Sequence, residues 1–325
     1  MENLLRGTSR SFYLSIRLLP RRLRSPIAVA YLLARATDTV ADTPTAWVAE
    51  RMDALRRLGD AIAAGSVDAS LGQSLADIAR ATGKPAEREL LLRVPHCIEA
   101  LDRLDARDRA DARKVLRHIV RGQMLDVERF PDATRPRALP DATALHEYTY
   151  LVAGSVGEFW TDLCVRHLPG FAAEDPREMR ALGQSFGCAL QLVNIVRDAG
   201  ADLAAGRCYF PADELGEEGL DAGHILADPE GFQPVWERWQ RFASRGLEDG
   251  IAYAQAVNSR RVRAAVALPA LLGQRTLLRL RAAGLDGLRC VVKVPRSEVR
   301  ALLLRMALSL AGRQALQREW DNLGR

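Results

Sequence analysis

Apolar residues recur at three- and four-residue intervals along almost the whole chain, and no segment shows the strict alternation of a strand. "TPTAWVAERMDALRRLGDAIAAG" (43–65) is a clear case. Trp47, Leu55, Leu58 and Ile62 fall on one face, Thr-Pro opens the segment and Gly closes it, as expected for a helix. The same periodicity predicts helices over 25–41, 86–103, 105–130, 141–167, 175–204, 232–256, 259–283 and 296–322. The breaks at 131–142, 206–223 and 282–287 are rich in Pro or Gly and too short to link domains. The pattern predicts one all-α domain over residues 1–325, of roughly ten helices.

Two helices carry acids where the pattern predicts core. "IAVAYLLARAT" reads as a buried helix, yet Asp38 and Asp42 follow at its end, four residues apart and so on one face. Carboxylates at the end of a buried helix need a partner. The second station is "QLVNIVRDAGADLAAGRCYFP" (191–211), preceded by a long uncharged run. Asn194, Asp198 and Asp202 recur at four-residue steps on one stripe, with Gln191 on nearly the same face. Asp38, Asp42, Asn194, Asp198 and Asp202 are all hard oxygen donors, a set that suits Mg²⁺. Arg35, Arg197 and Arg207 stand beside them, and a guanidinium grips phosphate oxygens through its planar fork. Acids alone would repel a diphosphate; acids holding Mg²⁺ with Arg alongside attract it.

Composition narrows the picture. The 325 residues are 48% hydrophobic, enough for a sizeable core. The net charge of +5 comes without a nucleic-acid motif, and the only dense basic run is "RLLPRRLR" (17–24), so no nucleic-acid partner is expected. The five cysteines are far apart and form no CxxC, which argues against zinc and disulfides and for buried free thiols in a reducing cytoplasm. No signal peptide and no transmembrane anchor are expected, since the opening is polar and no apolar run reaches the ~18 residues a span needs.

With these motifs in order, the chain resembles the squalene/phytoene synthase family of head-to-head prenyl transferases. "TSRSF" (8–12), "AYLLARATDTVAD" (30–42), "YTYLVAGSVGE" (148–158) and "QLVNIVRDAGADLAAGRCYFP" each resemble a family segment. The resemblance implies an all-α isoprenoid-synthase fold around a central cavity. It implies Mg²⁺ held by Asp38, Asp42, Asn194, Asp198 and Asp202, with Gln191 near the metal. It also implies diphosphate contacts from Ser9, Ser11, Arg35, Arg197 and Arg207, and a prenyl tunnel lined by Phe12 and Tyr31. Tyr148 is the best candidate in its segment for steering proton loss or a cation. "VAGSVG" fits either a cavity wall of small residues or tight helix packing by Ala153, Gly154 and Gly157.

Product choice within the family is less sharply written. "TSRSF" with "TDTVAD" and "VVKVPRSE" (291–298) resemble squalene-synthase segments, and Lys293 is expected to meet a diphosphate or an NADPH phosphate. These favour two farnesyl diphosphates condensing through presqualene diphosphate to squalene, with NADPH as reductant. Leu151 directly before Val-Ala-Gly, and the "RCYFP" tail, resemble bacterial carotenoid-type enzymes and favour dehydrosqualene or phytoene by proton loss. A non-catalytic homologue is the remaining alternative, and it would be expected to lose some of the acids. A water-insoluble product is compatible with peripheral membrane contact.

Overall fold

The structure is a computed structural model that describes residues 2–8, 16, 19–43, 47–131, 134–306 and 312–323. The chain forms two compact units, Met1–Pro131 with Asp162–His167, and Asp132–Thr161 with Leu168–Arg325. The first holds α1 (Glu2–Thr8), α2 (Arg21–Asp42), α3 (Val48–Ala64), α4 (Ala69–Ala81), α5 (Pro85–Leu92), α6 (Val94–Asp102) and α7 (Ala106–Arg129). In the second, β1 (Arg137–Leu139) is followed by α8 (Ala142–Thr149), a π-helical turn (Tyr150–Gly154), α9 (Ser155–His167), α10 (Pro176–Ala204), β2 (Arg207–Pro211) and α11 (Ala212–Glu217). It continues with α12 (Pro229–Ala256), α13 (Arg260–Ala283), α14 (Asp286–Arg289), α15 (Arg296–Arg305) and α16 (Arg313–Leu323). The last two turns of α9 belong to the first unit. Among the described residues no helix is long and apolar enough to cross a membrane.

The all-α expectation holds, with more and shorter helices than predicted. The expected 86–103 helix is two, because Pro95 in the first turn of α6 has no N–H to donate back to α5. The expected 141–167 helix is interrupted by the π turn. Helix α4 was not expected; Asp68 caps it by accepting from the Leu71 N–H. β1 and β2 form a parallel pair, Arg137 opposite Arg207 and Ala138 opposite Cys208, with a bulge before Leu139 meets Pro211. Three residues are too few for alternation to show. Cys97, Cys164 and Cys208 are buried free thiols as expected, Cys188 is half-buried, and Cys290 is exposed instead.

In the first unit α2 packs on α3 and α7. Leu32, Leu33, Ala36 and Val40 of α2 are fully buried with Leu55 and Leu58 of α3 and Leu116 of α7. In the second unit α10 is the centre, packed on α12, α13, α14 and the π turn. Two glycine contacts set how close its neighbours come. A Cβ added to Gly157 would lie 1.8 Å from the Gly183 carbonyl oxygen, so α9 and α10 touch backbone to backbone. A Cβ on Gly200 would lie 1.7 Å from the Leu288 oxygen of α14. The aromatics are few, but Trp236, Trp239, Tyr253, Phe210 and Phe232 are all fully buried. Trp236 donates its indole N–H to the Val196 oxygen of α10 at 2.9 Å. Contacts at Gly183, Val196 and Gly200 thus hold α10, the helix that carries the second acidic station.

Candidate active site

The first station lies at the C-terminal end of α2. Arg35 donates through Nη1 to Asp38 and through Nη2 to Glu87 Oε1 of α5, the latter at 2.6 Å. Gln123 of α7 donates to Asp38 Oδ1 at 3.2 Å. Lys84 Nζ reaches the same Glu87 Oε1 at 3.1 Å. Asp38 is half-buried and Asp42 exposed. Burial first, then the neighbouring Asp42 charge, push the Asp38 carboxyl up to about 6 against the opposing pull of Arg35. Glu87 goes the other way: burial raises it, but hydrogen bonds from Lys84 and Arg35 outweigh burial and hold it below its ordinary value. Arg35, Thr39, Asp42, Thr43, Lys84 and Glu87 line a pocket of about 230 Å³. Tyr31, one turn before Arg35, is half-buried.

The second station runs along α10. Asn194 is exposed and donates to Gln191 Oε1 at 3.4 Å. Arg197 donates to both oxygens of Asp198, through Nε at 2.8 Å and through Nη2. That bond to Asp198 is the main cause raising the Arg197 pKa. Arg207 forms an ion pair with Asp202 at 3.1 Å. Gly206 makes that pair: with φ of 79° it turns the chain back from α10 into β2, a left-handed conformation that suits glycine. The β1–β2 ladder then holds the Arg207 backbone.

Of the residues read from sequence, the first unit brings together Arg35, Asp38 and Asp42, and the second Gln191, Asn194, Arg197, Asp198, Asp202 and Arg207. Ser9, Ser11 and Phe12 lie outside the described residues. Lys293 is exposed in the segment between α14 and α15. Tyr148 is 6% exposed, with its ring stacked on Tyr209 at 5.1 Å between centroids. The half-buried phenol of this segment is Tyr150, in the π turn, whose hydroxyl donates to Glu158 Oε2 at 3.4 Å. Arg180 donates to the same Glu158 oxygen at 3.0 Å. Burial, then Glu158, raise the Tyr150 pKa. The packing reading of Gly157 also holds, and Leu32 and Leu33 are core.

Sequence reasoning missed Glu87, Lys84 and Gln123. Glu87 and Gln123 meet Arg35 and Asp38 only through tertiary packing of α5 and α7 on α2, and Lys84 joins them through its local contact with Glu87 three residues on. Among the described residues no group of three His, Cys, Asp or Glu side chains gathers as a metal cage. Mg²⁺ needs none, since it takes one or two carboxylates and completes its shell with water and substrate phosphate. Oxygen-only donors beside guanidinium groups fit that ion.

The squalene/phytoene synthase family model matches residues 5–300. The chain belongs to the squalene/phytoene synthase family. A bifunctional lycopene cyclase/phytoene synthase of Leptosphaeria maculans is 30% identical over 77% of this chain and 39% of its own length. The phytoene synthase of Rhodobacter capsulatus is 29% identical over 75% of this chain and 61% of its own. The chain therefore spans about two fifths to three fifths of those relatives. In fold it is similar to TcSQS in complex with the ligand E5700, with a TM-score of 0.79 at 21% identity over 99% of this chain and 89% of that one. It is also similar to the squalene synthase HpnC from Alicyclobacillus acidocaldarius, with a TM-score of 0.59 at 21% identity over 86% and 91%. These matches carry the isoprenoid-synthase fold expected from the motifs.

Proposed function

We propose that this chain catalyses the Mg²⁺-dependent head-to-head condensation of two prenyl diphosphates. The observation that carries the reading is the pairing of hard oxygen donors with guanidinium groups, once on α2 and once on α10, in a member of this family. Asp38 and Asp42 would hold Mg²⁺ in the first unit, and Asn194, Asp198 and Asp202 in the second. When bound, Mg²⁺ supplies Lewis-acid stabilisation to the departing diphosphate. Arg35, Arg197 and Arg207 would bind phosphate oxygens and stabilise the charge that develops as the carbon–oxygen bond breaks. Ser9 and Ser11 would add diphosphate contacts, and Phe12 and Tyr31 would line the prenyl path. Tyr148 would steer a cation or its proton loss, and the Tyr150 hydroxyl, which donates to Glu158, offers a second phenol in the same segment.

The preferred substrate is farnesyl diphosphate and the preferred product squalene, formed through presqualene diphosphate. The family-like "TSRSF", "TDTVAD" and "VVKVPRSE" segments support it. NADPH would supply the closing hydride, with exposed Lys293 available to its phosphate. A second reading, proton loss to dehydrosqualene or phytoene, is favoured by the relatives named phytoene synthase and by Leu151. Incubation with farnesyl diphosphate and Mg²⁺, with and without NADPH, separates the two. Squalene formed only with NADPH is expected. Dehydrosqualene in both, or turnover only of geranylgeranyl diphosphate, would move the assignment to the second reading. Failure of both substrates would overturn the function.

A further inference from the structure

The pocket of the first unit contains a third carboxylate, Glu87, which belongs to neither acidic station of the sequence. We infer that Glu87 is a positioning residue that sets the charge and direction of the phosphate-binding cations. The inference rests on the proposed function. Among the described residues Glu87 is one of the few buried acids, its side chain only 12% exposed, on a short helix packed against α2. A buried carboxylate is costly unless paired, and this one is paired twice on a single oxygen, with Arg35 at 2.6 Å and with Lys84 at 3.1 Å. Lys84 is otherwise 73% exposed, and an exposed ion pair alone would hold it only weakly. Glu87 thus draws two cations onto the wall of one pocket that Asp42 also lines.

The consequence for Arg35 is specific. Its guanidinium is shared between two carboxylates, Asp38 through one terminal nitrogen and Glu87 through the other. Two of five N–H donors are used in these bonds, so the fork keeps donors for phosphate oxygens. Without Glu87 the guanidinium has only Asp38 to balance it. It then turns fully onto that carboxylate, as Arg197 does onto Asp198 with two donors. Asp38 becomes a poorer ligand for a cation, and Arg35 and Lys84 lose their common orientation. Glu87 therefore keeps Asp38 available to metal and both cations available to diphosphate. In this role Glu87 acts through Arg35 and Lys84.

Glu87→Gln keeps the shape and removes the charge, and Glu87→Asp restores the charge on a shorter stem. With prenyl diphosphate as substrate, Glu87→Gln is expected to raise KM and the Mg²⁺ concentration for half-maximal rate, each about tenfold, with a smaller fall in kcat. Glu87→Asp is expected to recover part of both shifts. A melting temperature close to wild type would accompany them. Calorimetric titration of inorganic pyrophosphate in Mg²⁺ is expected to give about tenfold weaker binding to Glu87→Gln. Wild-type KM, Mg²⁺ dependence and pyrophosphate affinity in folded Glu87→Gln would overturn the inference and leave the proposed function standing. An inactive wild-type protein would fell the proposed function, and the pyrophosphate titration would still decide the role of Glu87. Loss of activity with a collapsed melting temperature in both variants would assign Glu87 to folding and overturn the inference.

Discussion

The two acidic stations use the same residue types in opposite ways. On α2, Asp38 is pulled into a half-buried setting, pushed up to about 6, and supported from two other helices by Gln123 and Glu87 through Arg35. On α10, each aspartate lies beside an arginine close in sequence, Asp198 with Arg197 and Asp202 with Arg207, and the stripe follows from helical spacing alone. The first station is a tertiary construction; the second is local, apart from the strand that returns Arg207. Charge balance differs accordingly. Arg35 is divided between acids, whereas Arg197 is spent on one. Burial and the Asp42 charge both disfavour an ionised Asp38, and a bound cation would offset them.

The largest expected effect tests whether both stations serve the same reaction. Asp38→Asn and Asp198→Asn should each lower turnover by about 10³-fold while the protein stays folded. Near-normal turnover in either variant, measured by product formation, would remove that station from the site. Next comes the scaffold of the second station. Gly157→Val forces a side chain into the Gly183 carbonyl and should cost about 3 kcal/mol in urea unfolding. An unchanged midpoint would mean that the close approach of α9 and α10 is not needed.

A pH experiment separates the stations without metal. The folded protein holds the Asp38 proton more tightly than an unfolded chain does, about 6 against an ordinary 3.8. Its contribution to stability is therefore present at low pH and lost as pH rises from about 4 through about 6. Metal-free wild-type protein should lose stability relative to Asp38→Asn across that window, as read from urea midpoints. A difference that does not change with pH would contradict the burial of Asp38. The smallest effect belongs to Gln123, which makes one hydrogen bond to Asp38. Gln123→Leu should lower turnover about fivefold, the equivalent of roughly 1 kcal/mol, and leave the pyrophosphate affinity of an Asp38→Asn background unchanged.

The contrast also explains what could be read before the structure. The second station was legible because Asn194, Asp198 and Asp202 share a helical stripe and need no other element to align them. Asp38 and Asp42 were legible for the same reason. Glu87 and Gln123 were not, because their positions relative to α2 come from the packing of α5 and α7. The π turn at Tyr150–Gly154 interrupts the helix that the apolar period predicts over 141–167. The helices followed the apolar period, while β1 and β2 escaped because strands of three and five residues, the second buried almost throughout, leave no alternation. In the late helix α15 and just beyond it Leu302 and Met306 are buried, Leu303 is half-buried and Leu304 is exposed.

The central claim is that the chain joins two prenyl diphosphates and releases both diphosphates in doing so. The most direct measurement is the ratio of inorganic pyrophosphate released to hydrocarbon formed from farnesyl diphosphate, with Mg²⁺ present and absent. The account predicts two pyrophosphates per thirty-carbon hydrocarbon with Mg²⁺ and neither product without it. Pyrophosphate release without a joined hydrocarbon, or turnover that ignores Mg²⁺, would contradict it.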